Sequence, residues 1–152
     1  MIAARAFPVL AVAFCAPAFA AELPTYVAGP FSGFVDDCRQ EGQKLPKRAD
    51  FITEVDLDGD GKADYVFDIA KGCAANKALY CNDAEGCKIS IYLSSAEMAF
   101  PSGDFKVKNW RIVRDGKAAR IVATMAGAAC GPTKPQSCEK TLRLKDDAFV
   151  AE

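Results

Sequence analysis

FITEVDLDGDGKADYVFDI, residues 51–69, decides how this chain is read. Two apolar runs, Phe51 to Val55 and Tyr65 to Ile69, flank DLDGDGKAD, in which carboxylates stand at loop positions 1, 3, 5 and 9: Asp56, Asp58, Asp60 and Asp64. The flanking runs are short and rich in β-branched and aromatic residues, so they predict strands rather than helices. In a tightly wound loop, alternate side chains point at one centre. Gly59 and Gly61 allow the backbone angles such winding needs, because they carry no β-carbon. Four converging carboxylates repel unless a cation sits among them. A hard cation such as calcium takes six to eight oxygens at about 2.3–2.6 Å. Asp56, Asp58, Asp60 and Asp64, with the backbone carbonyl of Lys62, are the expected ligands. Calcium (Ca2+) is favoured over magnesium because magnesium demands a tighter octahedron.

The run resembles the calcium-loop consensus shared by EF-hands, dockerins and the repeats of integrin-type propellers. It departs from an EF-hand at position 12, where Phe67 replaces the bidentate glutamate. It is more similar to strand-loop-strand versions, in which Asp64 binds directly. Followed along the chain to Cys73, Cys81, Cys87, the strand around Trp110 and Cys130/Cys138, it also resembles small exported alphaproteobacterial proteins. That resemblance implies a location and a fold more than an activity.

Upstream, MIAARAFPVLAVAFCAPAFA carries one basic residue, Arg5, before an apolar run ending in Ala18-Phe19-Ala20. This is the pattern of a cleaved export signal, and the expected boundaries are residues 1–20 for the leader and 21–152 for one mature domain. The run is too short to span a bilayer, which takes roughly 20 residues, and Pro8 and Pro17 interrupt it. Phe14 before Cys15 does not suit lipid attachment. No membrane span is expected after cleavage.

The chain holds 19 basic and 20 acidic residues. Near-neutrality without a single-sign block gives no electrostatic reason to expect nucleic acid or an anionic membrane as a partner. Beyond Cys15, six cysteines remain: Cys38, Cys73, Cys81, Cys87, Cys130 and Cys138. An even count in an exported domain predicts disulfides. There is no CxxC spacing and no histidine, which argues against zinc. Six cysteines allow 15 connectivities. Cys130–Cys138 is expected because it closes the turn-rich loop 131–135. The other four are assigned as Cys38–Cys73 and Cys81–Cys87.

Phe31, Phe34, Val35 and Cys38 fall on one helical face, with Gly42 as the stop and residues 21–29 as an irregular lead-in. Ile89, Ile91 and Leu93 alternate with Lys88, Ser90 and Tyr92 as a half-buried strand. Trp110 to Met125 reads as a hairpin turning at Asp115-Gly116. Phe105 and Val107 are out of phase with Trp110 and Ile112, which predicts a bulge or turn near Lys108-Asn109. Asp146-Asp147 turns the chain into a last strand. Connections are short, so pairing is antiparallel. The expected fold is α+β, mostly β: one antiparallel sheet, curled or open, with an N-terminal helix, stapled by disulfides.

Without histidine, Ser/His and Cys/His nucleophile pairs are absent. Asp68 and Glu97 are the spare carboxylates a calcium-dependent hydrolase would use. The favoured function is an exported calcium-binding module with a structural ion, presenting its surface to a protein or glycan partner in the envelope. Trp110 and Tyr92 are read as core aromatics before binding residues.

Overall fold

The computed structural model describes residues 22–116, 118–132 and 137–152. The expected leader, residues 1–20, and most of the 131–135 loop lie outside the described residues.

The apolar stripe of the N-terminal segment does form a helix, α1 (Thr25–Gln40). Phe34 and Cys38 are buried, and Phe31 packs against the same cluster. The helix starts earlier than its stripe suggests. Residues 25–29, expected to be irregular, form its first turn and add the fully buried Val27. Pro24 at the cap and Pro30 inside mask this start in the sequence. Pro30 has no N–H, so the ladder forgoes its bond to the Tyr26 carbonyl. At the other end, Gln43 N–H donates to Cys38 O (2.9 Å) and Gly42 N–H to Arg39 O (3.0 Å). With Gly42 at φ +61°, this is the Schellman stop that glycine permits.

The strands divide between two antiparallel sheets. The first contains β1 (Ile52–Val55), β2 (Asp64–Asp68), β3 (Cys81–Asn82), β4 (Gly86–Tyr92) and β5 (Gly103–Val107), with β4 bonded to β2, β3 and β5. The second is a meander of β6 (Asn109–Asp115), β7 (Ala118–Ala126), β8 (Ser137–Lys145) and β9 (Ala148–Ala151). The phase break at Lys108-Asn109 is where the chain leaves the first sheet for the second. In the β6–β7 hairpin Asp115 pairs with Ala118, so Asp115, expected in the turn, belongs to the strand instead. Asp146 and Asp147 both have positive φ, 49° and 64°, as a two-residue hairpin turn requires. Two short helices, α2 (Arg48–Phe51) and α3 (Ala74–Tyr80), complete the described elements, with 3-10 turns at Ile69–Lys71 and Gly127–Cys130.

The first sheet is the middle layer of three. Toward α1 it presents Ile52, Tyr65, Phe67 and Tyr92, which pack with Val27, Phe34 and Phe51. Toward the second sheet it presents Val66, Ile89, Ile91 and Leu93, which meet Ile121, Ala123, Met125 and Leu142. The strand expected to be half-buried is therefore buried on both faces from Ile89 onward, and Tyr92 is a core residue. A strand covered on both sides has no water-facing alternation to keep.

Three disulfides brace this stack. Cys38–Cys73 ties α1 to the residue capping α3, Cys81–Cys87 joins directly opposed residues of β3 and β4, and Cys130–Cys138 holds the 3-10 turn at Gly127–Cys130 to β8. Disulfides of this number persist in oxidising, non-cytoplasmic compartments. Among the described residues no helix is long and apolar enough to cross a membrane.

Candidate metal centre

The acidic run is the loop of the β1–β2 hairpin. Val55 pairs with Asp64, so residues 56–63 form the loop between the two strands. Backbone N–H groups of the loop turn inward to its own carboxylates. Gly59 and Gly61 donate to the two oxygens of Asp56 (2.6 and 3.0 Å), Asp60 to Asp58 Oδ1 (3.0 Å) and Lys62 to Asp60 Oδ1 (2.7 Å). Gly59 and Gly61 have φ of +84° and +85°, which other residues rarely adopt, so the winding depends on both.

Asp64 differs from the others. It is the first residue of β2, on the face that meets the second sheet, and it is 0% exposed. Its oxygens accept 2.8 Å hydrogen bonds from Leu57 N–H and Ser94 N–H. No ion pair among the described residues involves it. Burial pushes its carboxyl above the usual 3.8, against the lowering effect of the two N–H donors, and the Asp58 charge pushes the same way as burial.

Ligand oxygens of Asp56, Asp58 and Asp64 all lie within 4.8 Å of one another. Oxygens on opposite sides of a calcium ion, each at about 2.3–2.6 Å, stand roughly 4.6–5.2 Å apart. The three carboxylates therefore fit one coordination sphere of that size. Asp60 stands outside the group: it is exposed, and its Oδ1 is turned to Lys62 N–H. Three of the four expected carboxylates are brought together, not four. The donors are all oxygen, which suits a hard cation rather than a thiophilic one. The Ser94 hydroxyl is buried beside Asp64 and close enough to help lower its carboxyl, although it completes no hydrogen bond of ordinary geometry among the described residues.

Two participants are invisible in the motif. Ser94 supplies an N–H to Asp64, and Ser95 Oγ donates to Asp58 Oδ2 (2.8 Å). Both lie in the turn after β4, thirty residues beyond Asp64, and only the β2–β4 pairing delivers them. The second sheet also reaches the loop, since Ala119 N–H donates to Asp56 O (2.8 Å). Tyr26 on α1 lies close enough that its phenol is pushed up to about 12. Burial is the main cause, followed by Tyr65 and the charges of Asp64, Glu97 and Asp60.

The spare carboxylates do not meet. Asp68 sits at the far end of β2, roughly 13 Å along the strand from Asp64, where it accepts a bond from Ala70 N–H. Glu97 follows the opposite end of β4 and is exposed. Trp110 is partly buried against the core between the sheets.

No protein-family model, curated protein or solved structure matches this chain.

Proposed function

We propose that the chain is an exported, periplasmic or secreted domain that holds one calcium ion in the loop Asp56–Asp64 as a structural element. It serves the envelope as a binding or structural module for a protein or glycan partner. The observation that carries this is Asp64: a carboxylate with no exposure, two carboxylate neighbours and, among the described residues, no ion-pair partner. Such a group is costly unless it is protonated or a cation stands beside it. In this reading Asp56, Asp58 and Asp64 bind directly. Asp60 and the Lys62 carbonyl complete the shell from the loop's outer side.

Terbium, a luminescent substitute for calcium, tests the proposal. Tyr26 and Tyr65 are placed to sensitise it. Excitation of tyrosine should give saturable terbium emission that calcium displaces, and Asp64→Asn should abolish it. Absence of saturable emission from the parent protein would overturn the cation reading. For export, protein recovered from the cell envelope should begin within a residue or two of Ala21. Retention of Met1 would overturn that part alone.

A further inference from the structure

Away from the acidic loop, the linker between α1 and α2 and the 3-10 turn Ile69–Lys71 enclose a cleft of 390 Å³. Lys44, Lys47 and Lys71 line it, and Asp50 is the one acidic residue on its wall. The formal balance there is 3 − 1 = +2 in a chain whose total is −1. None of the three lysine side chains takes part in a hydrogen bond or ion pair among the described residues. Elsewhere Arg39, Arg48, Lys88, Arg111 and Arg143 have carboxylate partners, and Lys106 and Lys108 donate to backbone carbonyls. What distinguishes the three cleft lysines is that they share one concave surface with a single carboxylate.

The frame beneath them is fixed. Gln43 is bonded at its backbone to Cys38 O and through Oε1 to Ala75 N–H (3.0 Å). Lys47 O accepts from Asp50 and Phe51 N–H, and Pro46 restricts the chain between. On the opposite wall, a β-carbon at Gly72 would stand 2.7 Å from Asn76 Oδ1, so glycine is what lets the backbone after Lys71 pack onto α3. The Cys38–Cys73 bridge joins the two sides. The ammonium groups thus project from backbone that does not have to be ordered on binding, which lowers the entropic cost of capture.

We propose that this cleft binds a phosphate group. Lysines bind phosphate as point charges, and clustered ammonium groups suit the charge spread over a tetrahedral oxyanion better than the single charge of a carboxylate. A phosphate monoester carries about −1.5 to −2 at pH 7, which complements the local +2. Leu45, 43% exposed, lies between Lys44 and Lys47 at the rim. The phosphate is therefore that of a lipid headgroup, with Leu45 at the acyl boundary, or of a soluble ester.

The test uses mature protein in chelator, so that it stands apart from the calcium site. Amide NMR shifts are followed during titration with pyrophosphate. In parallel, the protein is sedimented with vesicles made with and without an anionic phospholipid. Saturable shifts confined to residues 44–47 and 71–73, weakening as salt is raised, are expected. Sedimentation with anionic vesicles alone assigns the lipid source, and pyrophosphate shifts without sedimentation assign the soluble one. The triple variant Lys44→Gln/Lys47→Gln/Lys71→Gln should bind on the order of tenfold more weakly or worse. Lys145→Gln, on β8, should bind as the parent does. The three lysines are exposed, so an unchanged melting temperature should confirm that the triple variant folds. Absence of saturable shifts, shifts centred elsewhere, or equal losses in the triple and Lys145→Gln variants would overturn the proposal.

Discussion

Replacing Asp64 by asparagine separates the cost of the buried carboxylate from the benefit of a cation. The substitution keeps volume and shape but removes the charge. Asp64 accepts two backbone hydrogen bonds at 2.8 Å, and an amide has one acceptor oxygen, so either Leu57 or Ser94 N–H loses its partner. An unsatisfied buried donor costs about 1–3 kcal/mol. Against that, the variant no longer buries an anion beside Asp58, so in chelator it should melt within a few degrees of the parent. In calcium the two should separate. An ion that binds only the folded state adds RT ln(1 + [L]/Kd), about 2.7 kcal/mol at a hundredfold excess over Kd. For a domain of this size that is roughly 5–10 °C of melting temperature. Parent protein should show this rise and Asp64→Asn should not. Asp60→Asn, outside the cluster, should keep more than half of it. Magnesium should substitute poorly. The assay is a thermal melt in chelator, calcium and magnesium for all three proteins. If the parent melts identically in chelator and saturating calcium, the structural-ion argument fails. If Asp64→Asn keeps the full rise, the argument has the wrong ligand.

Acidification should erode the calcium effect. In ion-free protein, burial raises the folded Asp64 carboxyl above its unfolded value of 3.8, so its contribution to stability is present below 3.8 and lost as pH rises through the folded value. Calcium needs the ionised form, so the calcium-induced rise in melting temperature should shrink as pH falls through that window. A rise unchanged down to pH 3.8 would contradict it. Among the disulfides, the 35-residue separation of Cys38–Cys73 constrains the unfolded chain most, by about 4 kcal/mol against about 2 for the six-residue Cys81–Cys87. Denaturant melts of the two double-alanine variants should rank in that order. Phe67, fully buried with ring centroids 4.8–6.2 Å from Tyr92, Phe51, Phe34 and Phe31, should cost about 3–5 kcal/mol on truncation to alanine, read by urea unfolding.

What was legible in the sequence was what local chemistry decides. Gly42 ends its helix because a left-handed residue completes the Schellman bonds, and Asp146-Asp147 turns because a two-residue hairpin needs two positive φ angles. The loop declares itself through the spacing of its aspartates and glycines. Layering was not legible, because it is a property of the whole chain. Ile89-Ser90-Ile91-Tyr92-Leu93 alternates as an edge of the core would, yet it runs through the middle of the molecule. Ser90 is buried on the face shared with Tyr92 and has its hydroxyl bonded to Asp104 (2.6 Å). The phase shift after Val107 was visible, but nothing local distinguishes a bulge from a change of sheet. Ser94 and Ser95 carried no signal, because their role comes from the strand pairing that sets them against the loop. Asp60 matched the motif as well as its neighbours did, and only the folded loop sets it apart.

The position of the loop bears on what a cation there would do. Asp64 begins the second strand of the hairpin and reaches Ser94 after β4, Asp58 is held by Ser95, and the Asp56 carbonyl accepts from Ala119 at the start of β7. One ion would therefore brace a junction of three chain segments from both sheets, and the disulfides do not span that junction. Cys38–Cys73 and Cys81–Cys87 lie within the helix and first-sheet side, and Cys130–Cys138 within the second sheet and its flanking turn. Removing the cation should thus loosen the contact between sheets before it unfolds either one. Amide exchange should rise first at Ser94, Ser95 and Ala119 while Phe67 and Ile121 remain protected. Of the two spare carboxylates, Asp68 lies at the far end of β2 from the loop, whereas Glu97 follows β4 at the loop end, where its charge acts on Tyr26 together with those of Asp64 and Asp60.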